Sequence, residues 1–499
     1  MKKFLAIFLA ALMILTLGAC EKKSDKDDDD VNTNNTVDDD IHMDDTVEDS
    51  SHTSGNVDDE NSGLENDNAI CSTHNYKDNI CAKCGCSLWS GKVDTSWYSA
   101  VALEFTITNA EQFAGLINIV NNGSDLLGVK VTLANHIDMN GIPIAPIGAT
   151  SKTVFAGSFD GNGRTVSNVT VNTQSVIKDV FDEITYATHI SISGGLFGYV
   201  VGDVLNLNVK NLTVDIRDAN PDSLVIGGIA ANIEKANIEN CSVQGQFTLH
   251  TSGSISVGGI SASAYEGNVS QCSSNVSITA NVNRDSNFTY VETQIGGVIG
   301  VSSKTTVSAC SAEGNIIFES LNTNYDYVGG LIGYSSFSSH VGNCYSTVGI
   351  NGKSQRGSIY TGSLIGSVER GSGSVENCYS AGDVALILNA SYAYVGGLVG
   401  YAGAATRCVS KCFTIGNVDL QVENGDSSYF GTVFGECSSV DDVSYCFYLN
   451  SPRVTGGTFV GNGSPATLND FKNTVFYKNK MQWDSSIWNL VDGTLPTLK

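Results

Sequence analysis

The sequence has little proline, few charged residues and, among the charged ones, few that are basic. Only six of its 499 residues are proline, and charged residues make up 16%, where about 25% is usual. Glycine is abundant, with 53 residues. This composition disfavours a helical enzyme or a disordered chain and favours a glycine-punctuated β protein. Because 499 residues exceed one ordinary hydrophobic core, we expect several units or a repeat array.

The shortage of positive charge limits the partners. The chain has 27 basic and 52 acidic residues and a net charge of −25. A surface this acidic repels phosphate backbones, so we expect no nucleic-acid partner. Residues 21–68 hold 18 of the acidic residues, three lysines and no aromatic residue. Such a segment cannot collapse, and it is predicted to be a disordered acidic tether.

The N-terminus carries an export pattern. Lys2 and Lys3 precede an apolar run from Phe4 to Leu17, which is too short to span a bilayer stably but suits a signal peptide. The run ends in LGAC at 17–20, which resembles the bacterial lipoprotein signal and implies lipidation of Cys20. A plain secretory signal with a chance cysteine is the alternative. We expect an extracytoplasmic protein, lipid-anchored to a bacterial membrane at the cell surface.

A small Cys/His module follows the tether. Two short-spaced ligand pairs flanking a loop are how proteins hold tetrahedral zinc, and four protein ligands make a closed, structural site. The predicted ligands are Cys71, His74, Cys81 and Cys84. Alternatively, the cysteines in residues 71–86 form two disulfides, which export permits. The stretch also looks like the short Cys-His-Tyr-Cys-Cys-Gly modules of some bacterial surface proteins.

From about residue 100 the chain repeats itself. Glycines recur at steps of 31 to 38 residues, and a cysteine trails each of the last seven. Alternation with period two after each cysteine predicts half-buried strands whose cysteine side faces inward. The glycines are Gly194, Gly227, Gly258, Gly296, Gly329, Gly362, Gly396 and Gly431, and the cysteines are Cys241, Cys272, Cys310, Cys344, Cys378, Cys412 and Cys446.

These repeats predict an all-β fold. A strand-forming repeat without a helix-length apolar pattern fits a parallel β-helix (β-solenoid) of about nine to ten coils of about 34 residues. Seven cysteines at one position cannot all pair, so we interpret them as small packing residues rather than disulfides. Thr108 and Glu111 fit a capping box, which predicts a short capping helix over 108–121. The aromatic-rich C-terminal residues are predicted to be a second cap.

Composition and period together divide the chain into six predicted segments. The folded part begins after the tether, and its repeats end where the period is lost. The segments are a lipoprotein signal peptide (1–20), the acidic tether (21–68), the Cys/His module (69–92), an N-terminal cap and first coil (100–150), the repeat β-helix (151–465) and the C-terminal cap (466–499).

The glycine-rich strands carry a short motif. It reads GLFG at 195–198, GLIG at 330–333 and GLVG at 397–400, and it diverges to GIAA at 228–231. These segments resemble the GLUG motif of bacterial surface proteins, and the resemblance covers about residues 104–499. It implies a β-helix on surface-exposed, often adhesin-like proteins, including regions ahead of some metallopeptidases that cleave immunoglobulin A. The motif has no agreed activity, and tight corners with close backbone approach explain its glycines.

Patterns that would indicate catalysis are scarce. None of the seven histidines lies within four residues of another, which excludes a metallopeptidase of the His-Glu-x-x-His type. Enzymes that cleave polysaccharides on a β-helix need converging carboxylates. Asp441 and Asp442 are adjacent, with Arg407 one repeat earlier, but neighbouring strand residues point to opposite faces, so a solvated turn is the preferred interpretation. We predict no enzymatic activity.

One feature indicates binding. An aromatic residue directly follows the cysteine in four successive repeats, on the opposite strand face: Tyr345, Tyr379, Phe413 and Phe447. If exposed, this stripe could stack sugar rings or dock a partner; alternatively, a loop or the C-terminal aromatic segment covers it. We expect a non-enzymatic surface lipoprotein that binds a glycan, the cell wall or a host protein. The alternatives are a polysaccharide-degrading lyase or glycosidase and a passive structural spacer.

Overall fold

Four parallel β-sheets run along one axis and form a β-solenoid. Each coil places one strand in sheet I, then one each in sheets II and III, and one or two in sheet IV. Equivalent strands of successive coils pair in parallel, for example Tyr325–Gly329 with Ser358–Gly362. One continuous apolar core runs through the coils. The all-β parallel solenoid predicted from the repeats is confirmed.

The computed structural model describes only part of the chain, and all of it belongs to one compact unit, Asp67–Lys499. The predicted signal peptide, Cys20 and the acidic tether lie outside the described residues, as do Arg407 and Asp441. The described residues are 70–71, 73–182, 188–217, 219–285, 288–369, 371, 373–403, 408–423, 427–437, 442–450, 454–455, 459–460 and 463–499.

Sheets I and II meet at the glycine-rich corner. Sheet I contains Lys178–Asp182, Thr188–Gly194, Ser223–Gly227, Ser254–Gly258, Glu292–Gly296, Tyr325–Gly329, Ser358–Gly362, Tyr392–Gly396, Ser427–Gly431 and Phe459–Val460. Sheet II contains Phe197–Val200, Ala230–Glu234, Ser261–Tyr265, Ile299–Ser303, Ile332–Ser336, Ile365–Glu369, Val399–Ala402 and Phe434–Cys437.

Sheets III and IV meet at the cysteine corner. Sheet III contains Glu104–Ile107, Lys130–Leu133, Ser158–Asp160, Val204–Leu205, Asn237–Glu239, Asn268–Ser270, Thr306–Ser308, His340–Gly342, Ser374–Glu376, Cys408–Ser410 and Asp442–Ser444. Sheet IV contains Tyr76–Lys77, Ile80–Cys81, Ser87–Leu88, Ile137–Asp138, Thr165–Ser167, Thr170–Asn172, Asn208–Ile216, Ser242–Thr251, Ser273–Asn283, Ser311–Glu313, Asn315–Leu321, Tyr345–Ser346, Gly349–Gln355, Tyr379–Ser380, Val384–Asn389, Phe413–Thr414, Val418–Val422, Phe447–Leu449, Val454–Thr455 and Ser464–Ala466.

The number of coils is slightly lower than predicted. The eight strands of sheet II in the described residues span about seven turns, where nine to ten coils were expected. The chain before residue 188 contributes parallel strands to sheets III and IV only. On the side of sheet II it makes isolated bridges, Ile147 with Phe197 and Phe155 with Val200. The first coils are therefore incomplete because they lack regular strands at the glycine corner.

The geometry of the corner between sheets III and IV explains why a cysteine recurs there in seven repeats, forming a ladder of thiols. All seven ladder cysteines are buried free thiols, as predicted. The residue before each one has positive φ, for example Asn343 at 54° and Asn377 at 53°, which makes the chain turn sharply between sheets III and IV. Cys344 Sγ then points at two carbonyl oxygens, Gly342 O at 3.2 Å and Val307 O at 3.7 Å. The small thiol fills the corner and donates to the backbone there.

The glycine corner is closed by direct backbone contact. A Cβ added to Gly329, the last residue of its sheet I strand, would lie 1.9 Å from Ile332 O in sheet II. A Cβ added to Gly333 in sheet II would lie 2.8 Å from Ile295 N in sheet I. Real Cβ atoms do not come this close, so only glycine, or alanine where the coil is wider, fits. The outer faces of sheets I and II therefore form a concave angle outside the core.

The N-terminal capping helix is confirmed, with a different cap residue. Helix α1 (Ala110–Asn121) begins after Asn109, whose side chain accepts a hydrogen bond from Gln112 N. Thr108 was predicted as the cap, but its backbone N–H and hydroxyl instead bond Gln112 Oε1. The N-cap is shifted by one residue because Asn is as good a cap as Thr, and the reciprocal bond of a capping box is made to Thr108 rather than to the cap residue. The predicted apolar face of the helix is buried: Phe113, Leu116, Ile117 and Val120.

The C-terminal segment folds back along the solenoid. After Ser464–Ala466 pairs with Phe447–Leu449, the chain forms α2 (Leu468–Phe471), α3 (Thr474–Phe476), a π-helical turn (Tyr477–Met481) and a hairpin of Trp488–Asn489 with Thr497–Leu498. It thus covers the side of sheet IV over several coils. Within the described part of the chain, no helix has the length and apolar character needed to cross a membrane.

Candidate functional site

The predicted Cys/His cluster is assembled in the structure. Cys71 Sγ lies 3.2 Å from Cys84 Sγ and 3.6 Å from Cys81 Sγ. His74 Nδ1 lies 3.3 Å from Cys71 Sγ and 3.5 Å from Cys84 Sγ. The four ligand atoms all lie within 4.8 Å of one another, and two sulfurs on one tetrahedral zinc are about 3.8 Å apart. The four side chains can therefore hold one metal ion.

Short strands hold this cluster against the solenoid. Tyr76–Lys77 and Ile80–Cys81 form a hairpin whose two turn residues have positive φ, as a tight two-residue turn requires. Ser87–Leu88 pairs in parallel with Ile137–Asp138, and Tyr76 OH donates to Asp138 Oδ2 at 2.7 Å. The module therefore covers the N-terminal end of sheet IV. Cys86 is buried outside the cluster and, like its neighbours, is a free thiol.

The sulfurs of the cluster ionise unequally. Burial opposes ionisation of Cys81, but backbone hydrogen bonds at Cys84 and Asn75 outweigh it and lower the pKa of the Cys81 thiol to about 5. Hydrogen bonding to the Cys84 thiol, with burial and the Cys81 thiol adding to it, raises the pKa of Cys71 to about 11. One thiolate forms readily, and the negative charge beside it disfavours a second.

The predicted aromatic stripe is covered. Its rings stack in order, with centroids 5.1 Å apart between Tyr345 and Tyr379 and 4.8 Å apart between Tyr379 and Phe413. Tyr379, Phe413 and Phe447 are buried, and Tyr345 is half-buried. The covering residues come from the C-terminal segment: Phe471, Phe476, Tyr477, Trp483 and Trp488. The structure thus shows the covered alternative: the four residues belong to a second core, and the open stripe on which ligand binding was predicted is not present in the described residues.

Polar groups attach the cover at three coils. Trp488 Nε1 donates to Asn343 Oδ1 at 3.2 Å, and Trp483 Nε1 donates to Lys411 O at 3.0 Å. Tyr379 OH donates to Pro496 O at 2.7 Å. Buried donors are thus satisfied along the whole contact.

A second set of tyrosines lines the concave angle between sheets I and II. We call it the tyrosine groove. In sheet I, one tyrosine of each of four successive coils points out of the core, and in sheet II two tyrosines face them. The residues of the groove are Tyr327, Tyr360, Tyr394 and Tyr429 in sheet I, and Tyr334 and Tyr401 in sheet II.

The sheet I tyrosines form a stacked ladder. The ring centroids are 5.0, 4.9 and 5.0 Å apart, and the interplanar angles are 13°, 6° and 3°. The rings of Tyr334 and Tyr327 are tilted relative to each other, with centroids 4.7 Å apart. The ring of Tyr401 makes edge-to-face contacts with the rings of Tyr360 and Tyr394. Tyr327 is 8% exposed and Tyr429 is 43% exposed. The groove is therefore closed at one end and opens towards the C-terminal coils.

Carboxylates border the groove and keep its phenols protonated. Burial, and then the negative charge of Glu369, raise the pKa of Tyr360 above its ordinary value. Burial and the charges of Glu369 and Glu292 do the same for the pKa of Tyr327, and burial with Glu436 raises the pKa of Tyr394. The hydroxyls of Tyr327, Tyr360 and Tyr394 therefore stay protonated at neutral pH and can donate hydrogen bonds.

The same corner is filled in the N-terminal coils. The sheet I positions equivalent to the ladder are Ser193, Val225, Ser256 and Gln294. Asn232 Nδ2 donates to Ser193 Oγ across the corner at 3.2 Å, and Ser256 Oγ donates to Gln294 Oε1 at 3.0 Å. Small side chains and one tyrosine, Tyr199, fill the corner there, and no ladder of stacked tyrosines forms in these described coils.

The tyrosine groove has a signal in the sequence that the predictions missed. A tyrosine precedes the last glycine of the sheet I strand by two residues in four successive repeats: Tyr327, Tyr360, Tyr394 and Tyr429. Period two places these residues on one strand face. The pattern does not reveal that this face is concave, because the angle depends on how sheet II folds against sheet I.

Comparison with known proteins finds only distant structural similarity. No family model matches the chain, and no curated protein matches it. A 1.30 Å crystal structure from Bacteroides ovatus, described provisionally as an immunoglobulin A1 protease, is 14% identical over 78% of this chain and 90% of its own, with a TM-score of 0.39. A structure described as an IgA1 protease is 14% identical over 78% of this chain and 25% of its own, with a TM-score of 0.37. Similarity at this level carries no argument about activity.

Proposed function

We propose that this chain is a lipid-anchored cell-surface protein of the GLUG type that binds its partner through the tyrosine groove and does not cleave it. The observation that carries the proposal is the groove itself, a concave face with a ladder of stacked tyrosines that opens from Tyr327 to Tyr429. Tyrosine gives large contact area and a polar tip at low entropic cost. The partner is a glycan, a cell-wall polymer or a host protein.

Two features support binding over catalysis. The tyrosines occupy one equivalent position in four successive coils, which suits an extended partner that makes the same contact repeatedly. The ladder rings are also held by one another and by the corner below them, so the face is preorganised and loses little entropy on binding.

A binding assay on the full-length chain in detergent tests this proposal. It would use a panel of neutral and charged glycans, cell-wall fragments and host matrix proteins. Saturable binding that is lost in Tyr360→Ala and Tyr394→Ala but kept in Tyr445→Ala supports the proposal. Tyr445 is the matched control because it is exposed at the cysteine corner. Binding to nothing in the panel contradicts the proposal and favours a passive spacer, and binding that survives both groove changes places the site elsewhere.

A second candidate is a polysaccharide-degrading enzyme on the same scaffold. The observation that favours it is that Glu292 and Glu369 both act on the pKa of the Tyr327 hydroxyl, since paired carboxylates are what such enzymes need. However, Glu292 is buried and accepts hydrogen bonds from Tyr290 OH and Gln294 Nε2. Product release from a polysaccharide that is lost in Glu369→Gln would establish the enzyme and overturn the first proposal.

We also propose that Cys71, His74, Cys81 and Cys84 bind one structural zinc ion. Four protein ligands leave no open position for chemistry, and the module lies against the end of sheet IV. The ion would therefore hold this end cover in place.

Metal analysis of the purified full-length chain tests the zinc proposal. We expect about one equivalent of zinc, lost in Cys81→Ser and Cys84→Ser and kept in Cys437→Ser. A chelator should lower the Tm of the wild type and leave that of the Cys84→Ser variant unchanged. Absence of metal together with unreactive cysteines in residues 71–86 would contradict zinc and establish the disulfides.

A further inference from the structure

We propose that the partner of the tyrosine groove is an uncharged polysaccharide that lies parallel to the solenoid axis and bonds one tyrosine hydroxyl per coil. This inference rests on the groove being the binding site. It adds the chemical class of the ligand and its direction, and three observations lead to it.

The first observation is the period of the ladder. Successive rings from Tyr327 to Tyr429 are 5.0, 4.9 and 5.0 Å apart, because parallel strands lie about 4.8 Å apart. A ligand that meets every rung must repeat with this length. An extended peptide repeats the direction of its side chains every two residues, or about 6.6 Å, and loses register after one coil. An extended β-1,4-linked glycan advances by close to one coil spacing per sugar. Successive sugars are turned over, but each edge of the chain still presents a hydroxyl group at every sugar.

The second observation is which part of each ring is free. The near-parallel stacking covers both faces of Tyr360 and Tyr394, since each lies between two ladder neighbours. What these inner rungs offer a ligand is an edge and a hydroxyl. A row of hydroxyl donors matches a polymer rich in hydroxyl groups. Among the described residues of the ladder, Tyr429 is the most exposed.

The third observation is the charge of the groove. Glu292, Glu369 and Glu436 act on its phenols, and the whole chain carries a net charge of −25. This field repels phosphate, sulfate and uronate polymers. A neutral glycan carries no charge for this field to repel, and its hydroxyl groups can both donate to and accept from the phenol hydroxyls.

Calorimetry on the full-length chain in detergent tests the inference. The probes are neutral β-1,4-linked glucose oligosaccharides of two to six sugars, an oligogalacturonate of matched length and an oligolysine. We expect affinity for the neutral series to rise with each sugar and to level off near three sugars, because only the rungs at Tyr360, Tyr394 and Tyr429 are not buried. Tyr360→Phe and Tyr394→Phe keep the stacked rings and remove one hydroxyl each, so each should weaken binding about fivefold to tenfold. Tyr445→Phe is the control and should leave affinity unchanged.

The outcomes separate this inference from the proposed function. Tighter binding of the oligogalacturonate or the oligolysine, affinity independent of length, or unchanged affinity in both Phe variants overturns the neutral-glycan inference. If another partner binds and is lost in Tyr360→Ala, the groove remains the binding site and only the ligand class fails. If no probe and no member of the wider panel binds, both proposals fail.

Discussion

Two aromatic ladders run along this solenoid, one on sheet IV and one on sheet I. Both stack with nearly the same spacing, 4.8 Å between Tyr379 and Phe413 and 4.9 Å between Tyr360 and Tyr394. The sheet IV ladder is buried under the C-terminal segment, whereas the sheet I ladder opens to 43% exposure at Tyr429. The same local geometry therefore makes a core in one place and a surface in the other. The difference lies in the segment that covers one ladder.

The largest effect should come from removing that cover. Trp488 is 1% exposed and stacks on Trp483 at 4.4 Å, so we expect Trp488→Ala to lower the free energy of unfolding by about 3–5 kcal/mol. Tyr394→Ala, in the open ladder, should cost clearly less because that ring is only half-buried. Denaturant unfolding of the two variants measures this. Equal losses would show that the two ladders do not differ energetically.

A smaller effect should come from opening the corner under the groove. A Cβ at residue 329 would meet the backbone oxygen of Ile332 at 1.9 Å, so Gly329→Ala must push sheets I and II apart. We expect a loss of about 1–3 kcal/mol and weaker ligand binding at the groove. Gly163→Ala is the control for adding a methyl group, since nothing lies near that position, although its own positive φ has a cost. Gly329→Ala with unchanged stability would contradict the close contact between the sheets.

The smallest effect should come from single hydroxyl groups. Tyr379 OH donates to buried Pro496 O, so Tyr379→Phe removes that hydrogen bond and should cost about 0.5–1.5 kcal/mol. Tyr360→Phe should cost close to nothing at pH 7, because the neighbours of its ring are other rings. Thermal unfolding of the two variants compares them, and a larger loss in Tyr360→Phe would reverse the comparison.

Alkaline pH should lower the stability of the fold through the tyrosines of both ladders. Burial raises the pKa of Tyr379, and burial with Glu369 raises that of Tyr360, above the ordinary value of 10.0. The folded chain therefore holds these protons more tightly than the unfolded chain. Stability should be complete below pH 10 and fall above it, by up to about 1.4 kcal/mol per pH unit for each tyrosine that ionises only on unfolding. Each Phe variant should show a shallower fall, and identical pH profiles would contradict the raised pKa values.

The repeat itself made much of this fold predictable. The inward position of Cys344 and its equivalents follows from period two, because a strand has only two faces. The Cys/His cluster was predictable because each short-spaced pair can hold one edge of a metal site, and the hairpin of Tyr76–Lys77 with Ile80–Cys81 brings the two pairs together. The helix cap differed by one residue because Thr108 and Asn109 are both good caps and only the backbone geometry chooses between them.

What the sequence by itself determined is the set of columns, meaning which residues stack above which and which face of each strand they occupy. The aromatic columns through Tyr379 and through Tyr360 are equally readable from the period. Only the tertiary structure decided that the C-terminal segment folds back over the column through Tyr379. It also decided that sheets I and II form a concave angle at the column through Tyr360. Both outcomes depend on contacts between parts of the chain that are distant in sequence, and a local period carries no information about such contacts.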